Sequence, residues 1–181
     1  MVCEMRVNVD GKVTRATFFE GVMRSKARLT YSQVNELLEG KAANTVPKDL
    51  HGSIRELHAL YKAFAKARGR RGAIEIDLPQ TKFKLNSDGE IDRIEVVPRN
   101  DAHRLIEECM IAANVQAAKF LARKKKPTLF RRHDAPEEER RDKLLGFLRP
   151  LGLKMAKRGR ITPADYARLL DAARDRPDAE M

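Results

Sequence analysis

Four residues with chemically useful side chains stand close together in one predicted helix: His103, Glu107, Glu108 and Cys109. His103 and Glu107 are one helical turn apart and therefore share a face. A zinc site requires three or four ligands, and catalytic zinc helices carry two histidines with a third ligand elsewhere. A single His–Glu pair such as His103 and Glu107 is more typical of polar residues that face solvent or lie at a helix end than of a metal site. Cys109 falls on the apolar side of the helix, where a thiol is expected to pack.

The rest of the chain offers none of the usual catalytic patterns. Asp88, Glu90 and Asp92 imitate the start of a calcium loop, but Gly89 is misplaced and the segment is typical of a hairpin. The glycines of residues 68–72 lack the lysine and the spacing of a P-loop. There is no nucleophile elbow, no cysteine–histidine dyad and no dense aspartate cluster of the kind that holds two magnesium ions. The sequence therefore predicts no metal site and no catalytic residue in this chain.

The helix that must position these side chains is predicted over Arg99–Leu121. Asn100 or Asp101 can cap its start, since a short side-chain oxygen accepts from first-turn amides. Residues at three- and four-residue steps form one face that is rich in alanine: Leu105, Cys109, Ala112, Ala113, Gln116 and Phe120. Small side chains let another backbone approach closely, so we expect this helix at the centre of the fold. Glu107 and Glu108 are either stabilised by the positive end of the helix or directed at a ligand.

Alternation of apolar and polar residues predicts the strands. Val2–Val9 and Lys12–Phe19 flank Asp10-Gly11, a strong hairpin signal because both turn positions tolerate positive φ. A small antiparallel meander is predicted from three further runs: Ile74–Leu78, Phe83–Leu85 and Ile91–Val96. Thr128–His133 is predicted as another strand.

Apolar spacing, caps and first-turn residues predict four more helices. The first follows a Thr30 or Ser32 cap and closes at Gly40, and the last begins at Thr162-Pro163, with a threonine cap and a proline at its first position. Of the other two, one runs from Leu50 and ends in the basic run Lys66–Arg71, and one is predicted over Pro136–Leu148. The expected fold class is α+β: an antiparallel β-hairpin and a small β-meander packed with several α-helices around one long, alanine-rich central helix.

The charge of the chain indicates its partners. There are 37 lysines and arginines against 26 acidic residues, a formal net charge of +11, and nucleic acid is the commonest partner of such a surplus. Four basic runs are together consistent with a groove that follows phosphates: Lys66–Arg71, Arg123–Lys126, Arg131-Arg132 and Lys154–Arg160. Tyr31 ends a further basic segment, where it would either stack on a base or sugar, or lie half-buried at a helix start.

A membrane partner is not expected. No apolar run approaches the roughly 20 residues of a spanning helix, and the first residues hold charges where a signal peptide needs an apolar segment. Cys3 and Cys109 lie far apart in sequence, which favours a reduced, cytoplasmic protein over a disulfide framework.

Four blocks of the sequence, in order, carry a family resemblance: Ser25–Tyr31, Arg71–Ile74, Arg99–Asn114 and Leu129–Asp134. They resemble successive parts of the catalytic domain of the RNB family of processive 3′-to-5′ exoribonucleases, which includes ribonucleases R and II. The resemblance covers essentially the whole chain, and the helix block is long and specific.

The resemblance implies that residues 1–181 are the middle of an incomplete RNB catalytic domain. The family's magnesium-binding aspartate cluster, the later part of the domain, and the S1 and cold-shock domains would all lie outside this chain. A hairpin directly after Met1 and a C-terminus without a closing element are consistent with this. The implied reaction is magnesium-dependent hydrolysis of RNA to nucleoside 5′-monophosphates. This chain alone, without the aspartates, is expected to bind no Mg²⁺ and to be inactive until the missing remainder of the domain joins it.

The resemblance also assigns RNA-contacting residues, with single-stranded RNA as the partner. Tyr31 resembles the family tyrosine that contacts RNA near its 3′ end. Glu107, preferred over Glu108 by the alignment, resembles the glutamate that helps select ribose, by accepting from a 2′-hydroxyl. Arg99 and His103 are expected to flank the RNA path.

Two alternatives remain open from the sequence. The chain could be a free-standing, non-catalytic basic RNA-binding protein derived from the RNB domain, or a basic scaffold that needs no RNA. Salt-sensitive RNA binding without nuclease activity would distinguish the first from an enzyme, and protein partners without nucleic acid would favour the second.

Overall fold

The structure, a computed structural model, describes residues 1–41, 44–74, 80–97, 99–131, 133–155, 161–174 and 176. The chain divides into two compact units. One combines Met1–Ala67 with Asp77–Lys126, and the other combines Arg68–Ile76 with Pro127–Met181. The assignment of residues 1–181 to one incomplete domain stays a prediction.

Two β-hairpins and three α-helices make up the described part of the first unit. In chain order they are β1 (Val2–Val7), β2 (Val13–Phe19), α1 (Tyr31–Leu38), α2 (His51–Arg70), β3 (Gln80–Leu85), β4 (Ile91–Val97) and α3 (Asp101–Arg123). A short 3₁₀ turn over Lys48–Leu50 leads into α2, and the last three residues of α2 belong to the second unit.

The first hairpin turns at the predicted Asp10-Gly11. Strands β1 and β2 pair antiparallel, with Cys3 opposite Phe18. Gly11 has φ +75°, in the left-handed region. A Cβ atom at Gly11 would lie 2.3 Å from the carbonyl oxygen of Ala63 in α2. The turn therefore rests directly on the backbone of α2, and only glycine fits there.

The second hairpin leaves one apolar face in water. Its strands pair antiparallel, with Phe83 opposite Ile94 and Leu85 opposite Ile91, and residues directly opposite each other share a face of the sheet. Val96 lies on the same face, and all five side chains are exposed. The turn again contains Asp-Gly, with Gly89 at φ +81°.

Helix α1 begins with a capping box. The Thr30 hydroxyl accepts from the backbone N–H of Gln33 at 3.3 Å, and the Gln33 side chain accepts from the backbone N–H of Thr30 at 2.8 Å. Tyr31 is consequently fixed as the first helical residue. The inner face of α1 contributes Leu37 to a buried cluster with Val46 and Ile54.

Helix α3 is the alanine-rich central helix that was predicted, and it packs against α1. Asn100 caps it. Ala102 and Leu105 are only 2% and 4% exposed, and Ala112 is also buried. Near its C-terminal end, the ring of Phe120 packs against Phe18 of β2, with ring centroids 4.9 Å apart.

The second unit contains α4 (Glu138–Leu148) and α5 (Pro163–Arg174). The predicted first-position proline of α5 is confirmed, and Thr162 directly precedes it. The side-chain cap by Thr162 stays a prediction. Both the backbone N–H and the hydroxyl of Thr162 donate to Asp165 at 2.7 Å. These hydrogen bonds from Thr162 hold the pKa of the Asp165 carboxyl below its usual range.

The α+β fold class is confirmed, and one predicted strand is wrong. The described residues 128–131 and 133 form no strand, and Leu129 and Phe130 are exposed. Both described sheets are two-stranded hairpins that do not include this segment, and a strand forms only where another strand pairs with it. The first run of the predicted meander falls mostly on residues 75–79, and the basic run Lys154–Arg160 falls mostly on residues 156–160. Both of these ranges lie outside the described residues.

We expect Gly11→Ala to destabilise the protein by about 3 kcal/mol. A left-handed alanine costs about 1–2 kcal/mol, and the clash with Ala63 adds a packing cost of about 1–3 kcal/mol. Gly89→Ala is the matched control, because Gly89 also has a positive φ, +81°, with nothing within 4 Å of its Cβ position. Urea unfolding followed by circular dichroism measures both variants. Equal losses would contradict the packing of the turn on α2.

Candidate nucleic-acid interface

A cleft of about 340 Å³ lies in the first unit, beside the start of α3. It brings together all four residues that the sequence assigned to a site: Tyr31, Arg99, His103 and Glu107. The rest of its lining comes from β4 and from later turns of α3, namely Val97, Ile106, Met110, Ile111 and Asn114.

Tyr31 and His103 form a stacked pair in this cleft. Their ring centroids are 4.0 Å apart and their planes differ by 23°. Each ring projects from the first turn of a capped helix, so the two caps set the position of the stack. Tyr31 is 44% exposed, which leaves part of its ring surface available to a ligand.

Asn100 holds the imidazole of His103. The Asn100 side-chain oxygen accepts from the backbone N–H of His103 at 3.3 Å and lies 2.7 Å from His103 Nδ1. Burial lowers the pKa of His103 below its usual range, and the positive charges of Lys82 and Arg99 lower it further. The imidazole is therefore neutral near pH 7.

Arg99, which precedes α3, forms an ion pair with Glu107, one helical turn after His103. The Arg99 side chain is mostly buried, whereas the Glu107 side chain is 42% exposed. The pair holds the Glu107 carboxylate at the cleft while leaving it accessible. A carboxylate presented in this way can accept hydrogen bonds from hydroxyl groups of a ligand.

The two adjacent glutamates of α3 have different environments. Glu108 is 6% exposed and lies on the buried face with Leu105 and Ala112. Glu107 lines the cleft with Tyr31. The structure thus places Glu107, and not Glu108, in the cleft that also contains the other residues assigned to RNA contact by the resemblance.

His58 of α2 ties the start of α3 to the rest of the unit. Its Nε2 lies 2.8 Å from a carboxylate oxygen of Asp101, the first residue of α3, across 43 residues of sequence. The His58 ring also packs near Tyr61, with centroids 5.9 Å apart. This contact was not predicted, since no local pattern indicates a pairing at that separation.

Sequence reasoning also missed other residues at the cleft. Ile106, Met110 and Asn114 follow His103 and Glu107 at steps of three and four, so helical spacing could have found them. Lys82 acts on His103 from β3. Its position depends on tertiary packing and had no local signal.

The described residues contain no group of three or more histidine, cysteine, aspartate or glutamate side chains placed to hold a metal ion. Among the described helices, none combines the length and apolar character needed to cross a lipid bilayer.

Comparison with known proteins identifies the family. The RNB domain family matches residues 1–180. The chain belongs to the RNB family. Among curated relatives, ribonuclease R of Escherichia coli (strain K12) is 46% identical over 184 residues, and ribonuclease R of Vibrio cholerae is 44% identical over 182 residues. Each alignment covers 100% of this chain and 22% of the relative, so the chain spans about a fifth of the length of these RNB proteins.

Solved RNB structures share the fold. RNase R of Mycoplasma genitalium, in its apo form and in complex with ribose-methylated single-stranded RNA, matches with a TM-score of 0.90 and 22% sequence identity. Each match covers 98% of this chain and 28% of that chain.

Proposed function

We propose that this chain is an RNA-binding segment of a processive, hydrolytic 3′-to-5′ exoribonuclease that releases nucleoside 5′-monophosphates. The observation that carries the proposal is the cleft in which Tyr31, Arg99, His103 and Glu107 converge. Membership of the RNB family supports the reaction class. The RNA complexes of the Mycoplasma genitalium protein support RNA as the partner.

Each side chain has a distinct role in this proposal. The exposed part of the Tyr31 ring stacks on a base or sugar, with His103 supporting its other surface. Glu107 accepts from a ribose 2′-hydroxyl, the group that distinguishes RNA from DNA. Arg99 keeps the Glu107 carboxylate in place and contributes positive charge beside the strand.

Mg²⁺ held by other parts of the domain would supply the chemistry of phosphodiester hydrolysis, the activation of water and the stabilisation of the leaving oxygen. The described residues of this chain do not fit that ion, because they contain no cluster of carboxylates to hold it. We therefore assign the metal ligands to the remainder of the RNB domain, and RNA binding to this chain.

We expect Tyr31→Ala to weaken the binding of a fluorescein-labelled RNA 12-mer by about 1–3 kcal/mol, the contribution of one base–aromatic stack. Fluorescence anisotropy with the 181-residue chain measures the affinity. Phe147→Ala is the control, because Phe147 is a comparably exposed aromatic residue that does not line the cleft. The same loss in both variants would contradict a specific role for Tyr31.

Raising the salt concentration in the same assay should weaken binding. The logarithm of the association constant should fall linearly with the logarithm of the salt concentration, with a slope of roughly −0.7 for each phosphate that is neutralised on a single strand. Binding that is unchanged by salt would contradict the use of the basic surface by RNA.

We expect Glu107→Ala to reduce the preference for RNA over the matching 2′-deoxy oligonucleotide by about tenfold or more, since a hydrogen bond to a charged group contributes about 1.5–3 kcal/mol. The measurement is the ratio of the two dissociation constants. Glu56→Ala removes an equal charge from an exposed position on α2 and should leave the ratio unchanged. An unchanged ratio in Glu107→Ala would overturn the ribose-selecting role.

We expect the purified chain to release no nucleotides from labelled RNA, with or without Mg²⁺, because this proposal assigns the metal ligands to other parts of the domain. Denaturing gel electrophoresis of the RNA measures this. Processive degradation by the pure chain would contradict the assignment.

A further inference from the structure

The hydrogen bonds of Asn100 determine which nitrogen of His103 carries a proton. The backbone N–H of His103 can only donate, so the Asn100 atom that it meets at 3.3 Å must be the carbonyl oxygen. The same oxygen lies 2.7 Å from His103 Nδ1. Since that oxygen can only accept, Nδ1 is the donor and carries the proton.

The surroundings of His103 favour the neutral ring. The charged and titratable groups around it are Tyr31 from α1, Lys82 from β3, Arg99 from the segment before α3, and Glu107 from α3. Burial, Lys82 and Arg99 all lower its pKa, in that order of effect. A neutral ring with its proton on Nδ1 has a lone pair on Nε2. Among the described residues, none donates a hydrogen bond to Nε2.

We propose that His103 Nε2 accepts a hydrogen bond from a ribose 2′-hydroxyl of RNA bound in the cleft, and that Asn100 is the positioning residue that keeps Nε2 an acceptor. The proposal rests on the proposed function, since it assumes that RNA occupies the cleft. It adds a second, neutral acceptor to the carboxylate of Glu107, which lies one helical turn away on the same lining.

Protonation of His103 would reverse the role of Nε2. The protonated imidazole carries hydrogen on both nitrogens and donates from each, so it no longer accepts from a hydroxyl. The preference for RNA over DNA should therefore decrease as the pH falls through the pKa of His103. Because that pKa is lowered, the midpoint of the decrease should lie at a pH below the usual histidine pKa of about 6.5.

The test measures the ratio of DNA to RNA dissociation constants between pH 5 and pH 8, using the 181-residue chain and matched fluorescein-labelled 12-mers. In the unmodified chain we expect a decrease of about two- to tenfold at acid pH, the effect of one neutral hydrogen bond. A histidine titration followed by NMR on the unbound chain should give the same midpoint, with His103→Gln identifying the resonance.

Asn100→Asp is the decisive variant. Aspartate caps helices as well as asparagine does, so α3 should stay folded. A carboxylate beside Nδ1 favours the protonated ring. Both the NMR midpoint and the loss of ribose preference should therefore move to higher pH. Asn100→Ser also retains a capping oxygen but adds no charge, and it should produce no upward shift. Glu107→Ala should lower the ratio at every pH while retaining the His103 transition.

The outcomes separate the two proposals. If the chain binds RNA but the ratio is independent of pH in both the unmodified chain and Asn100→Asp, the role of His103 is overturned while RNA binding stands. If NMR finds the proton on Nε2, the acceptor role is likewise overturned. If the chain binds neither oligonucleotide, the proposed function fails, and this inference fails with it.

Discussion

The cleft depends on how the start of α3 is anchored. Three consecutive residues, Arg99–Asp101, contact three different side chains: Glu107, His103 and His58. The contact with His58 ties the first turn of α3 to α2, and the other two orient side chains at the cleft. A helix end would otherwise fray, since its first amides have no partners within the helix. Here the anchoring of the helix and the construction of the cleft use the same short segment.

One oxygen atom both caps α3 and positions a side chain of the cleft. The Asn100 side-chain oxygen satisfies a first-turn amide of α3 and also orients the His103 ring. Tyr31 then stacks on that ring from the capped start of α1. Since each contact constrains the next, the aromatic pair is held in position before any ligand arrives. Such preorganisation reduces the side-chain ordering that binding must otherwise impose.

Local sequence patterns predicted the helices, the hairpins and the capped start of α3, but they did not predict the tertiary contacts. The spacing along α3 and the two Asp-Gly turns depend on neighbours within a few residues, and the structure has them as expected. The approach of Lys82 to His103 and the pairing of His58 with Asp101 join distant parts of the sequence. No periodicity encodes such pairings.

The site residues themselves were predicted from the family resemblance rather than from spacing. Considered alone, the pattern around Tyr31 favoured a half-buried helix start over a contact with RNA. The choice of Glu107 over Glu108 came from the alignment with the family. Their different burial follows from the rotation of α3 against its neighbours, which turns Glu108 inward. Asn100 or Asp101 was predicted as the cap, but a cap pattern does not indicate that the oxygen of Asn100 also lies beside an imidazole.

The apolar face of the second hairpin, around Phe83 and Ile94, influences how separate copies of the chain behave together. Water favours any arrangement that covers such a face. Repulsion between molecules that each carry a net charge of +11 opposes their contact. Dissolved ions shorten the reach of that repulsion to about 8 Å at physiological ionic strength and leave the apolar attraction intact. Concentrated solutions of the chain should therefore stay clear in dilute buffer and turn cloudy as salt is added.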